Sequence, residues 1–247
     1  VPKETAVTVA IGYRNFTIGG IAKGAGMIHP NLATMFGFLT TDAAVELDFL
    51  KQALRKAADV SFNMISVDGD TSPSDTVLLM ANGQAGSQTI SQGSPQAGIF
   101  QQALEQVCIY LAKAITRDGE GATRLIEVTV RGARSTTDAA VAARTVVSSP
   151  LVKAAVHGSD PNWGRIIAAV GRSGAEVSEE KIDLYIGGDS VVKGGMPLDY
   201  NEREIVRVFQ QDEVPISVDL NLGSASATAW GCDLSAEYVT INSQYMT

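Results

Sequence analysis

The chain opens directly in β-forming sequence. Thr5-Ala6-Val7-Thr8-Val9-Ala10-Ile11 and residues 15–21 read as two strands joined by a short Gly12-Tyr13-Arg14 turn, with Gly19-Gly20 near the end of the second. A strand at the very start needs a neighbour to pair with, and no Met precedes it. The chain is therefore expected to be the later part of a longer protein. A loop rich in small residues follows from Lys23 to Asn31. Residues 34–42 are apolar and β-branched enough for a buried strand. Leu47, Leu50, Ala53, Leu54 and Ala57 recur at helical spacing and predict a helix over 46–59. Asp68 to Asp75 is a polar turn cluster.

Further along, the pattern predicts a long helix at 96–116, a strand at 124–132 and Ala-rich helices at 136–148 and 150–156. Pro150 sits where a first helical turn tolerates it. The loop 160–165 opens another helix at 163–171. The last third predicts short strands at 182–187, 214–219 and 225–231, with a helix at 201–210. This order implies an α+β or α/β fold of mixed sheets packed with helices. A weak boundary is expected near 150–175.

Charge narrows the functional classes. Lys plus Arg is 19 and Asp plus Glu is 27, for a formal charge of −8. Such a chain repels phosphate and argues against binding nucleic acid or an anionic membrane. Hydrophobic residues make up 45% and the mean hydropathy is +0.09, as expected of a folded chain with a sizeable core. No apolar run approaches the roughly 18 residues of a membrane span, and the start lacks a signal-peptide pattern. The two cysteines, Cys108 and Cys232, do not form a disulfide framework. The two histidines, His29 and His157, give no metal-ligand spacing, so no metal is expected. A reducing, cytoplasmic setting is the simplest reading.

Three segments could carry chemistry. Ala33-Thr34 places a hydroxyl after a small residue at a loop-to-strand junction, which suits intramolecular cleavage. The α-amine so freed has an unperturbed pKa of about 7.7–8.0 and can serve as base for its own hydroxyl. A Thr that merely starts a strand looks the same. Lys23-Gly24-Ala25-Gly26 allows close backbone approach to a ligand, with Lys23 as a cation for a carboxylate, or is only a tight connection. Arg117-Asp118-Gly119-Glu120-Gly121-Ala122-Thr123 is either a helix C-cap or a sharply turned site in which Glu120 binds an amine. His29 reads as a loop residue, Cys108 as core, and His157 with Asp160 makes no triad.

Taken together, these blocks resemble the ornithine acetyltransferases, also called glutamate N-acetyltransferases. The resemblance is carried, in the family's order, by Lys23-Gly-Ala-Gly-Met-Ile-His-Pro-Asn-Leu-Ala-Thr34-Met35, Ser66-Val-Asp-Gly-Asp-Thr-Ser72 with Asp75-Thr76, and Arg117 to Thr123. It continues through Asp160-Pro-Asn-Trp-Gly-Arg165 and Ala227 to Asn242. It covers essentially the whole chain.

The resemblance implies an N-terminal-nucleophile enzyme of arginine biosynthesis that cuts itself between Ala33 and Thr34. Residues 1–33 would end the α chain. Residues 34–150 would form the nucleophile-bearing first region of the β chain, and 151–247 its C-terminal region. N-acetylornithine would donate acetyl to Thr34, and glutamate would accept it. Lys23, Thr34, Glu120, Asn242 and the terminal Thr247 would bind substrate. No cofactor is implied, with acetyl-CoA left open as a second donor. The α and β chains would assemble as a heterotetramer of two each. The family's oxyanion-hole Thr-Gly pair lies upstream of this sequence, and without it roughly 10²–10³ in rate would be missing. Two other readings stay open. One is a related Thr-nucleophile amidase or aminopeptidase with water as acceptor; the other is a fragment inactive without its upstream half.

Overall fold

The computed structural model describes residues 1–11, 13–29 and 35–244. They form two compact units. The first comprises Val1–Asn63 and Asp70–Ile115, the second Met64–Gly69 and Thr116 onward. Residues 150–175, where the sequence places its weak boundary, lie inside the second unit.

In the first unit, β1 (Glu4–Ile11), β2 (Arg14–Lys23), β3 (Phe36–Thr41) and β5 (Thr76–Ala81) form one sheet in the order β1-β2-β3-β5. The first three pair antiparallel, and β3 runs parallel to β5. Helices α1 (Leu47–Asp59) and α2 (Ala97–Arg117, of which residues to Ile115 belong to this unit) supply its apolar cover. Phe100 on α2 meets Phe16 of β2 at 5.7 Å and Phe49 of α1 at 6.1 Å between ring centres. Fully burying a side chain of this size contributes about 1.5–3 kcal/mol. Gly20 is needed where α2 presses on β2: a Cβ there would stand 2.5 Å from Leu39 Cδ2 and 2.8 Å from Leu111 Cδ1. Ile21, Phe38, Leu78 and Met80 of the same sheet remain exposed.

The second unit is built on a mixed sheet in the order β4-β11-β6-β10-β7-β8-β9. Its strands are β4 (Ile65–Ser66), β6 (Leu125–Ala133), β7 (Asp183–Ile186), β8 (Asp189–Lys193), β9 (Met196–Pro197), β10 (Glu213–Asp219) and β11 (Ala225–Cys232). β6 is parallel to β10 and antiparallel to β11. Helix α3 (Thr136–Val147) lies on β6 and β11 through buried Ala139, Ala142, Ala143, Val146 and Val147. The small side chains bring helix and sheet close. At Gly231 a Cβ would stand 2.7 Å from the Val147 carbonyl. Helices α4 (Pro150–His157) and α5 (Trp163–Gly171) pack beside α3, and α6 (Glu202–Phe209) packs on β10. Helix α7 (Ala236–Gln244) closes the described chain.

The α+β class with mixed sheets packed by helices is therefore as the sequence implies, and the predicted helices and strands form within a few residues of their expected bounds. β4, β5, the β8–β9 hairpin and α7 are additional. Among the described residues, no single helix is long and apolar enough to cross a membrane.

Candidate active site

The loop from Lys23 to Met35 leaves and re-enters the first unit's sheet at one place. Lys23, the exposed last residue of β2, is the ladder partner of Phe36, the first residue of β3. Pro30 to Thr34 lie outside the described residues, so the expected cleavage pair Ala33-Thr34 does too, as does Thr247. What the structure places is the residue after Thr34. Met35 is buried, its carbonyl accepts from Thr76 N–H at 3.0 Å, and its N–H donates to Asp75 Oδ1. The start of β3 is thus clipped to the start of β5 on both sides. Thr71 Oγ1 donates to the His29 carbonyl at 3.2 Å, tying the polar turn cluster to the same loop.

Asp75 is unusual for a carboxylate. Burial pushes its pKa up to about 6, opposed only by the Met35 N–H. Its Oδ2 is buried with no hydrogen-bond partner among the described residues. In the sequence Asp75 is one acid of a turn cluster and, with Thr76, part of a block that carries the resemblance, with no role implied for it.

The second unit joins two of the expected substrate-binding residues. Asn242 Nδ2 on α7 donates to Glu120 Oε2 at 2.9 Å and to the Tyr238 carbonyl at 3.0 Å. The turn after α2 creates this contact. Gly121 has φ +67°, and a Cβ there would stand 2.5 Å from Tyr238 N and 2.8 Å from Ser235 Oγ. Only glycine lets the turn approach the start of α7 so closely. Ser235 Oγ donates to the Gly121 carbonyl at 2.6 Å and accepts from Tyr238 N–H at 3.3 Å, so one hydroxyl fastens turn to helix. Glu120 is therefore no bare helix cap: its carboxylate is aimed by a neighbour 122 residues away in sequence.

Behind this turn lies a buried network. The Asp233 side chain is fully buried and accepts from Thr123 N–H (2.7 Å), Thr123 Oγ1 (2.6 Å), Arg124 N–H (2.9 Å) and His157 Nδ1 (2.7 Å). Burial alone would raise its pKa, but the hydrogen bonds from Thr123, His157 and Arg124 together hold it below the usual carboxylate range. Thr123 and His157 both bind the same carboxylate rather than each other, so no hydroxyl-to-imidazole relay exists here. His157 pairs with Asp233, while Asp160 faces Arg165 at 3.3 Å. Arg124 Nη1 caps the last turn of α4, donating to the carbonyls of Val156 and His157 at 2.8 and 2.7 Å. Buried Lys153 donates to the Cys232 carbonyl and lies 3.5 Å from its sulfur. Burial pushes the Cys232 thiol up, and Cys108, a core residue of α2, up to about 12.

Over its whole length, residues 1–247, the chain matches the ArgJ family. The chain belongs to that family. It is 56% identical over 245 residues to the arginine biosynthesis bifunctional protein ArgJ of Dehalococcoides mccartyi, covering 99% of this chain and 60% of that protein. It is 49% identical over 247 residues to ArgJ of Bacillus subtilis, covering all of this chain and 61% of the other. It thus spans about three fifths of the length of these relatives. The crystal structure of ArgJ from Bacillus halodurans superimposes with a TM-score of 0.84 at 46% identity, covering 86% of this chain and 100% of that one.

Proposed function

We propose that this chain carries the self-cleaving nucleophile region of an ornithine acetyltransferase. The observation that carries the reading is the Glu120–Asn242 contact. Two residues implied for binding an amino-acid substrate meet at 2.9 Å in a chain of the ArgJ family.

In this reading Thr34 Oγ attacks the Ala33 carbonyl carbon. The C–N bond breaks, the hydroxyl proton passes to the departing nitrogen, and an ester links Ala33 to Thr34. Water hydrolyses that ester, leaving a carboxyl on Ala33 and a free hydroxyl and amine on Thr34. The neutral amine then takes the hydroxyl proton as Oγ attacks the acetyl group of N-acetylornithine. The tetrahedral oxyanion collapses, ornithine leaves with the proton, and acetyl-Thr34 remains. The glutamate amine attacks this ester, the acetyl C–O bond to Thr34 breaks, the amine proton passes through the Thr34 amine to Oγ, and N-acetylglutamate departs. Lys23 serves the α-carboxylate common to both substrates, Glu120 with Asn242 serves the amine that gains or loses acetyl, and Thr247 completes the binding set. The oxyanion donors belong to the segment upstream of this chain. The α and β chains assemble as a cytoplasmic heterotetramer, without cofactor; acetyl-CoA is the candidate second donor.

The test uses the full-length protein. Intact-mass analysis is expected to find two chains, the second beginning at Thr34, and Thr34→Ala is expected to leave one inactive chain. Parallel double-reciprocal lines for N-acetylornithine and glutamate are expected of the covalent intermediate. Acetate release without glutamate would favour the amidase reading. Glu120→Gln removes a charged hydrogen bond worth about 1.5–3 kcal/mol, and so lowers kcat/KM by roughly 10–150-fold while leaving cleavage intact. Full turnover in that variant would remove Glu120 from the site.

A further inference from the structure

We propose that Ser235 is a positioning residue of the amino-acid subsite: its hydroxyl seats α7 against the turn that carries Glu120, and so sets the gap between Glu120 and Asn242. The inference rests on the acetyltransferase reading above and adds to it a residue for which the resemblance implies no role.

Helix α7, Ala236–Gln244, has no buried residue. The apolar face that seats α3 is missing here, and the placement of α7 falls to polar contacts. Its base is well fixed. Asp233 N–H donates to the Arg124 carbonyl at 3.2 Å, and Leu234 N–H donates to the Lys153 carbonyl at 3.3 Å. Ser235 comes next, 6% exposed, and its one hydroxyl makes two further ties. Accepting from Tyr238 N–H at 3.3 Å, it caps the first turn of α7. Donating to the Gly121 carbonyl at 2.6 Å, it fixes that capped turn to the residue beside Glu120. At the far end, Asn242 Nδ2 donates both to the Tyr238 carbonyl of its own helix and to Glu120 Oε2. The amide therefore moves with the helix as one body. Seven residues separate Ser235 from Asn242, an axial rise of about 10 Å. Over that lever, a tilt of about 3–4° at the base shifts Asn242 by about 0.6 Å. Such a shift stretches the 2.9 Å contact to about 3.5 Å, past the usual hydrogen-bond range. A loosening far short of unfolding thus misplaces the pair that receives substrate.

The test uses the full-length protein, with N-acetylornithine and glutamate as substrates and thermal melting to check folding. Ser235→Ala removes both ties and is expected to raise KM for each substrate by about fivefold or more, with kcat within about twofold. Ser235→Thr keeps the hydroxyl and is expected to hold both KM values within about twofold of wild type. Asn242→Ala removes the contact that Ser235 sets, so adding Ser235→Ala to it is expected to change KM by no more than about twofold further. Gly121→Ala separates turn and helix from the other side, since a Cβ there would stand 2.5 Å from Tyr238 N. It is expected to raise KM as Ser235→Ala does, and carries the test if Ser235→Ala does not fold. Wild-type KM in folded Ser235→Ala overturns the proposal. So does a fall in kcat at unchanged KM, the mark of a merely structural loss of folded enzyme. A Ser235→Ala effect that persists undiminished beside Asn242→Ala overturns it too. Wild-type KM and kcat in both Asn242→Ala and Glu120→Gln would instead sink the functional reading at this subsite, and this inference with it.

Discussion

Asp233 in the second unit accepts four hydrogen bonds on a fully buried side chain, and its pKa sits below the usual range. Asp75 in the first unit accepts one, from Met35, and its pKa stands at about 6. Both carboxylates are desolvated, and desolvation raises both. The difference is the supply of donors. Where the fold provides a hydroxyl, two peptide N–H groups and an imidazole, the charge is stabilised and the acid is a structural hub. Where it provides a single N–H, the charge is poorly held and the pKa stays high. The same burial thus leaves two carboxylates with opposite shifts, decided by the donors around them.

The largest expected effect tests the hub. Asp233→Ala would leave the Thr123 and Arg124 N–H groups, the Thr123 hydroxyl and the His157 ring without their acceptor. Breaking a buried network of this kind costs about 3–5 kcal/mol. Urea denaturation of the full-length protein would measure it. A loss under about 1 kcal/mol would mean that Asp233 is no hub and that the contrast with Asp75 fails.

Acid should then move the two carboxylates in opposite senses. Asp75 has a folded pKa of about 6, above an unfolded value of about 3.9. The folded state binds its proton more tightly, so its contribution to stability rises as pH falls from 7 through 6 toward 4. Asp233 has a depressed folded pKa, so its contribution is present above about 3.9 and is lost as pH falls through its folded value. The full-length protein is the form in which to look. There, 13C NMR of the carboxyl groups should find Asp75 titrating near 6 and Asp233 below the usual carboxylate range. An Asp75 that titrates at or below the ordinary carboxylate value of about 3.9 breaks the comparison.

Much of this was legible in sequence, and the limits are physical. α1 forms as expected and buries Ala53 and Ala57 of the predicted set, but Leu47 is exposed and Phe49 is buried in its place. β5 escaped notice because Thr76-Val-Leu-Leu-Met-Ala81 is apolar on both faces, with Leu78 and Met80 exposed, so no alternation announces it. The β8–β9 hairpin had a signal: Gly194 and Gly195 take φ of +57° and +72° between ladder partners Lys193 and Met196, as a two-residue turn with positive φ demands. At the site, Glu120 and Asn242 came from the resemblance, and the fold joins them. Asp75 and Asp233 could not be found by spacing, because their partners are 40 and about 110 residues away and one sequence does not say which segments meet.

A smaller effect is expected at His157. Its side chain is 39% exposed and supplies one of the four bonds to Asp233. His157→Ala leaves three donors in place, so the loss should be about 1 kcal/mol, the ordinary net worth of one hydrogen bond. It should also let the Asp233 pKa drift upward. A loss as large as that of Asp233→Ala would make the imidazole, not the backbone donors, the centre of the network.

The smallest effect comes from a carboxylate that is neither buried nor starved of donors. Asp219 Oδ2 accepts from Arg131 Nε at 2.9 Å, with the two side chains 21% and 49% exposed, and the Arg131 guanidinium lies 5.3 Å from the centre of the Tyr185 ring. Water competes for both partners, so the pair should contribute only about 0.2–1 kcal/mol, with a further 0.5–1 kcal/mol from the ring contact. Arg131→Met keeps the aliphatic stem over Tyr185 and removes the charge. Its cost should therefore stay near or below about 1 kcal/mol and shrink in 1 M salt, where the screening length is about 3 Å. Asp233→Ala should keep its full cost in the same salt, because ions do not reach a fully buried group. Equal salt sensitivity in the two variants would show that burial does not separate these carboxylates.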